Sequence, residues 1–458
     1  MAMVFERVYL GCLAQAAYVI GSQGRAVVVD PRRDIDDYLA VARAHDLEIT
    51  DVVLTHIHAD FVAGHVELAQ RCGATIRIGR RADVAFPCEP LAGGDRLSIG
   101  EVEIEVLETP GHTPDGICLL VRDRSTPEQP ARLLTGDTLF LGDVGRPDLA
   151  GGLGYTARDM AAMMHASLRD VIAPLPDDVV VFPGHGAGSA CGRSISDAES
   201  STLAQQRLTN PALRPMSERE FVDEVTTDLA DPPAYFPRAA ALNRAGPRLW
   251  SELPPLTRLE VRALADSGAQ IVDTRSAERF GDGHLQGSVN IGLGGSFESW
   301  CGRLLDLDRP IALVVDDAAA AEQARMRLGR VALEDVVGFL PANALRANDG
   351  LETLPQIAVR DLDGLRRESA CQIVDVRGPA EYDGGHAPGA VPLPLPALAH
   401  GAPIPATLDR TRPTAVICGS GYRSSAAAHW LRRAGFADLR NVAGGTNAWR
   451  AAQLELET

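Results

Sequence analysis

The chain has 458 residues, too many for one hydrophobic core, so two to four domains are expected. Hydrophobic residues make up 45% and charged residues 23%, the balance of a soluble globular protein. A formal net charge of −17 argues against nucleic acid or an anionic membrane as partner, because phosphate surfaces reward clustered Lys and Arg.

The N-terminus places Glu6 and Arg7 before a short mixed apolar run. It lacks the basic region, continuous apolar stretch and small-residue cleavage site of a secretory signal. No run is long enough to span a bilayer. Eight cysteines are scattered without a CxxC pair, which predicts reduced, mostly buried thiols. A cytoplasmic location is the expectation.

In chain order, AAYVI (16–20) and AVVVD (26–30) predict paired strands, and DIDDYLAVARAH (34–45) an amphipathic helix. DVVLT (51–55), VEIEVLETP (102–110), GICLLV (116–121), ARLLTGD (131–137) and DVVVFPGH (178–185) predict further strands. Three of these run straight into a His or Asp, and polar residues gathered at strand ends mark the active edge of a layered α/β enzyme. A first domain over residues 1–245 follows from this pattern. NRAGPRLWSELPPLT (243–257), rich in Pro and Gly, predicts a linker.

Beyond it lies an internal repeat. Asp273, Arg275, Gly283, His284 and Gly287 recur as Asp375, Arg377, Gly385, His386 and Gly389, at an offset of 375 − 273 = 102. Two small α/β domains are expected, over 255–345 and 355–458. The proline stretch 392–405 in the second copy predicts a surface loop.

The chemistry concentrates in two places. THIHADFVAGH (55–65) supplies His56, His58 and Asp60 where a strand ends. His-x-His on extended backbone projects both imidazoles to one side. His112 in TPGHTPDG, Asp137 in TGD and His185 in FPGHG follow at later strand ends. Imidazole and carboxylate donors suit Zn or non-haem Fe, and two His with one carboxylate suit Fe(II) oxygen chemistry. His45, His65 and His165 have no such context and are expected to be structural or surface residues. Arg146 in GRPDL is either a contact for an anionic substrate or half of a structural salt bridge.

The second place is TAVICGSGYRSSAAAHWLRRAGF (414–436): strand, Gly-rich loop, helix. Cys418 would face backbone N–H groups of Gly419 and Gly421, the start of a helix opening with Ser424, and Arg423. Such surroundings favour a nucleophilic sulfur and would equally hold a Cys-persulfide anion. Four residues separate Cys418 and Arg423, where tyrosine phosphatase loops have five. Subtracting the offset from Cys418 gives 418 − 102 = 316, an aspartate. The first copy is therefore expected to be catalytically silent, and Cys301 to be structural.

The order HxHxD, GH, GD, GH over the first ~200 residues resembles the metallo-β-lactamase superfamily, which implies an αββα sandwich. That superfamily usually continues HxHxDH, and here Phe61 stands at the last position; a phenyl ring cannot coordinate a second metal. GDTLFLGDVGRPDL resembles the persulfide dioxygenase branch. That resemblance implies one Fe(II) per chain on His56, His112 and Asp137, with His58, Asp60 and His185 standing behind the ligands. It also implies a small thiol persulfide of the glutathione or coenzyme A type, O2 and sulfite as reaction partners, and a dimer or tetramer. CxxGxRS and the upstream DVR…GHAPGA block resemble rhodanese sulfurtransferases. A dinuclear Zn thioester hydrolase of the glyoxalase II type, and a non-catalytic sulfur carrier or sensor, are the competing expectations.

Overall fold

The structure is a computed structural model; it describes residues 3–346 and 350–458. It divides into two units, Met1–Pro254 with Gly329–Ala332, and Pro255–Leu328 with Leu333–Thr458.

The first unit holds two six-stranded sheets, each in chain order. One runs Val4–Leu10, Gln15–Ser22, Arg25–Val29, Glu48–Leu54, Thr75–Gly79, Glu89–Leu91. The other runs Arg96–Ile99, Val102–Glu108, Ile117–Asp123, Arg132–Gly136, Val180–Pro183, Ser201–Thr202. Residues 16–20 and 26–30 pair antiparallel as expected. Alternation along each strand explains the layers. Tyr18, Ile20, Val27, Val29 and Val53 face Ile104, Val106, Leu119, Val121 and Leu134 of the second sheet. Their neighbours Ala17, Val19, Ala26, Val28 and Val52 turn outward, onto Tyr38 and Ala42 of helix Asp36–Ala44 and Leu68 of helix His65–Cys72. On the far side, Cys118, Leu120 and Leu133 meet Met164 of helix Ala157–Ala166 and Phe221 of helix Glu218–Thr226. Helix, sheet, sheet, helix is an αββα sandwich.

The second unit holds two parallel sheets. One is ordered Val289–Asn290, Gln270–Asp273, Ile311–Val315, Val336–Pro341. The other is ordered Gln356–Ile357, Leu439–Val442, Thr414–Ile417, Gln372–Asp375, Val391–Pro392. The repeated residues build the same frame twice. Arg275 forks onto Asp273 and reaches the Gly283 carbonyl; Arg377 does the same with Asp375 and Gly385. His284 stacks on Phe280 at 3.6 Å, and His386 on Tyr382 at 3.7 Å.

Three sequence expectations need correction. The supposed linker begins inside the sandwich: Asn243 is fully buried. It donates to the His58 and Phe61 carbonyls and accepts from Ala63 N–H. Only a satisfied amide could sit there. The proline stretch is not all loop, since Leu395–Ala399 is a short helix with Leu395 and Leu398 buried. Proline at a first helical turn costs nothing. Finally, Asp316 does not occupy the place of Cys418. Thr274 N–H bonds the Val314 carbonyl where Val376 N–H bonds that of Ile417. In register, Val315 matches Cys418 and Asp316 matches Gly419, a one-residue difference that the constant offset concealed.

Candidate functional site

The strand Glu48–Leu54 ends at Thr55, and the chain then turns inward because Asp30 gathers it. Asp30 Oδ1 accepts from Thr55 N–H and Oδ2 from the Thr55 hydroxyl, each at 2.7 Å. Its φ of 52° is a left-handed conformation that Asp tolerates better than most residues. The Thr55 hydroxyl lies 3.0 Å from His56 Nδ1, which leaves Nε2 facing inward. His58 Nε2 lies 3.0 Å from Asp30 Oδ1. Asp115, buried in TPDG, accepts from Ile57 N–H at 2.8 Å and pins the turn between the two histidines.

The structure brings His56, His112 and Asp137 together: one donor atom from each lies within 4.8 Å of the others. His112 Nε2 stands 3.5 Å and His56 Nε2 3.9 Å from Asp137 Oδ2. His112 Nδ1 meets the Arg146 carbonyl at 2.8 Å, which fixes the ring with Nε2 inward. Gly145 permits this approach, because a Cβ there would lie 2.1 Å from the Asp137 carbonyl oxygen. All three side chains are buried, and among the described residues His56 Nε2 and Asp137 Oδ2 have no hydrogen-bond partner. Buried polar atoms without partners are costly. A cation between them removes that cost, so these residues fit a bound metal.

The other oxygen of Asp137 is committed. His185 Nδ1 lies 2.7 Å from Asp137 Oδ1, and its Nε2 2.7 Å from Asp60 Oδ2. Burial lowers the His185 pKa, but the two carboxylates outweigh it and hold it well above the ordinary histidine value. Burial likewise opposes ionisation of Asp137, and His185, His112 and His56 reverse that and hold the carboxyl below the usual range. For His56, burial and then His58 push the imidazole well down, toward the neutral form a metal needs. Phe61 is fully buried, with its ring 4.3 Å from that of His58.

Sequence reasoning missed Cys191. Its sulfur joins Asp60 and His185 in a second group of donor atoms within 4.8 Å of one another. Burial, with Asp60 and Asp137 nearby, pushes this thiol well up. Its one signal was proximity to FPGHG. Arg146, for which two readings stood open, makes the salt bridge of the second: it forks onto Asp148 at 2.6 and 2.7 Å and donates to the Ala190 and Ala230 carbonyls. His45, His65 and His165 lie outside both donor groups.

In the second unit, Cys418 follows strand Thr414–Ile417 and precedes helix Tyr422–Arg433. Gly421 N–H points at its sulfur from 3.2 Å and the Ser424 hydroxyl from 3.4 Å. Gly421 has φ of 92°, which only glycine adopts freely. Gly419 leaves room for the guanidinium, since a Cβ there would lie 3.2 Å from Arg423 Nη2. Two partners were invisible in the sequence. Glu381 forks onto Arg423 through two 2.7 Å bonds, each holding the other in its charged form. Asn441 accepts from Ser424 at 2.6 Å and donates to the Gly421 carbonyl. In the first copy Arg279, at the position of Glu381, pairs with Asp316, which stands at the position of Gly419. Cys301 is buried and its thiol is pushed well up by burial and by Glu298.

Comparison with known proteins finds a metallo-beta-lactamase superfamily match over residues 10–185 and rhodanese-like domain matches over 257–342 and 358–452. A hydroxyacylglutathione hydrolase of Polaromonas sp. is 35% identical over 189 residues, covering 40% of this chain and 66% of that one. Another, of Anaeromyxobacter dehalogenans, is 30% identical over 290 residues, covering 58% and 99%. The crystal structure of a metallo-beta-lactamase from Staphylococcus aureus has a TM-score of 0.66 at 32% identity, covering 74% of this chain and 99% of that one. Among the described residues no helix is long and apolar enough to cross a membrane.

Proposed function

We propose that this chain, which belongs to the metallo-beta-lactamase superfamily and carries two rhodanese-like domains, is a persulfide dioxygenase coupled to a sulfurtransferase. One observation carries the reading. Three donors converge on one centre, while Phe61, packed on His58, stands where the motif it resembles carries a further imidazole. Fe(II) bound by His56, His112 and Asp137 would supply redox chemistry with O2 that Zn lacks.

The protein's own residues hold that centre in place. Asp137 is oriented by His185 through one oxygen and offers the other to the metal. Thr55 and the Arg146 carbonyl set the two ligand rings. The overall reaction is R–S–SH + O2 + H2O giving R–SH and sulfurous acid, ionised to sulfite. The thiol carrier R is of the glutathione or coenzyme A class. In the second unit Cys418 attacks the outer sulfur of a second R–S–SH, whose S–S bond breaks to release R–SH, and so holds a sulfane sulfur as Cys–S–SH. Sulfite attacks the outer sulfur, the S–S bond breaks, and thiosulfate leaves with Cys418 regenerated. Gly421 N–H and the Ser424 hydroxyl receive the negative charge at sulfur.

A second reading has specific support. The two relatives named above are hydroxyacylglutathione hydrolases, and Asp60, His185 and Cys191 form a second donor group. Those facts support a two-metal thioester hydrolase.

Anaerobic purification with metal analysis and O2 uptake on glutathione persulfide separates the two. The dioxygenase reading expects one Fe per chain and O2 uptake matched by sulfite. That uptake is lost in His112→Ala and retained in Cys418→Ser. Two Zn per chain, hydrolysis of an acyl-glutathione thioester and no O2 uptake establish the hydrolase instead.

A further inference from the structure

The first rhodanese-like copy has no cysteine at its loop, yet it touches the helical turn after the working loop of the second copy at three residues. The Tyr422 hydroxyl donates to the Gly292 carbonyl at 2.7 Å. The Ser425 hydroxyl donates to Asn290 Oδ1 at 2.6 Å. Between them, the Arg423 guanidinium lies over the Trp300 ring at 5.8 Å. Tyr422, Arg423, Ser424 and Ser425 form the first turn of helix Tyr422–Arg433, the turn whose N-terminal end faces Cys418. Two of the four are also tied within their own copy, Ser424 to Asn441 and Arg423 to Glu381.

Asn290 is the firmest of these contacts. It is buried, and its amide donates to the Asp273 and Arg275 carbonyls at 3.0 and 2.9 Å. Those carbonyls belong to the Asp273–Arg275 corner that the paired guanidinium locks. The chain of contacts therefore runs from a rigid corner, through one amide, to Ser425 and the turn carrying the Ser424 hydroxyl. The first copy's own frame thus reaches the helical turn whose Ser424 hydroxyl faces the neighbouring copy's sulfur. Its counterpart in the second copy, at the same offset of 102, is Pro392, which has no side-chain donor or acceptor to offer. The contact runs one way.

We propose that the cysteine-free copy positions the sulfur-transfer loop, with Asn290 and the Gly292 carbonyl as the anchors that set Ser424 and Gly421 against Cys418. Asn290 is a positioning residue: it touches neither sulfur nor substrate. Donors aimed at a developing sulfur anion lose effect steeply when displaced. Loosening the anchors therefore slows the step at Cys418 and leaves substrate capture largely intact.

The inference rests on the sulfurtransferase reading of Cys418, and its test is chosen to fail separately. Full-length native protein, Tyr422→Phe, and the double variant Tyr422→Phe/Asn290→Ala are compared. The measurements are thiosulfate-to-cyanide transfer kinetics, the rate of Cys418 alkylation by iodoacetamide, and thermal unfolding. Tyr422→Phe removes one hydroxyl and keeps the ring, so it remains readable if the double variant does not fold. The expectation is a fall in kcat of about tenfold in the double variant and about threefold in Tyr422→Phe, with KM for thiosulfate within about twofold. Alkylation slows in parallel. Values of kcat and alkylation rate within about twofold of native in folded variants overturn the proposal. If the native protein transfers no sulfur, the sulfurtransferase reading falls, and the alkylation rates still decide the positioning.

Discussion

The two rhodanese-like copies share a frame and differ in what it holds. Asp273, Arg275 and His284 repeat the bonds of Asp375, Arg377 and His386 almost atom for atom. At the loop the copies diverge, with Val315 for Cys418 and Arg279 for Glu381. A repeat therefore conserves the parts that keep a small parallel sheet closed. It releases the parts that do chemistry, and the released positions acquire complementary charges of their own.

Four experiments break or sharpen that comparison. The largest effect is expected from Cys418→Ser, which abolishes thiosulfate-to-cyanide transfer, a loss of about a thousandfold or more. Adding Val315→Cys to that protein restores nothing, because a thiol there lacks the Gly-rich loop that follows Cys418. Recovery of transfer would mean that the frame alone makes a site.

Next come the buried corners. Asp273→Ala and Asp375→Ala each strand an arginine in the interior and cost about 3–5 kcal/mol, measured by denaturant unfolding. Similar losses support a shared frame, and a loss confined to one copy breaks it.

Smaller again is Glu381→Gln, which frees Arg423 from its fork. Transfer is expected to fall about tenfold, whereas Arg279→Gln in the other copy removes a half-exposed pair worth at most about 1 kcal/mol. Steady-state kinetics and melting on the same preparations read both.

The mildest perturbation is pH. Burial, assisted by Arg432 and Arg275, pushes the His284 imidazole down to about 4 from an ordinary value of 6.5. The unfolded chain takes up a proton at this residue as pH falls below 6.5, and the folded chain does so only near 4. Stability supplied by the neutral ring is thus complete above 6.5 and lost as pH falls through that window. Unfolding measured from pH 7 to 4.5 should show a shallower decline in His284→Gln; an unchanged slope refutes the assignment.

The sequence exposed strand-end chemistry well and partnerships poorly. His56, His112 and Asp137 stood out because ligands at strand ends leave short motifs, and the αββα order followed from the superfamily that those motifs resemble. Glu381 and Asn441 left no such trace. Glu381 sits three residues after Gly378 and accepts from its N–H, so it reads as a helix cap. Asn441 lies on a strand far from the loop it serves. Cys191 looked like any buried thiol, because distance along the chain says nothing about which sulfur reaches Asp60. A constant repeat offset misplaced Asp316, since the two loops differ by one residue and only the sheet register shows it.

One feature of Cys418 reaches beyond its own loop. Its side chain is fully buried. On the sulfurtransferase reading, a sulfur atom parked there would be kept in a closed store. Compact anions such as sulfite, thiosulfate or cyanide are the reagents small enough to collect it. Bulk, as much as nucleophilicity, would then decide which acceptors draw on the store.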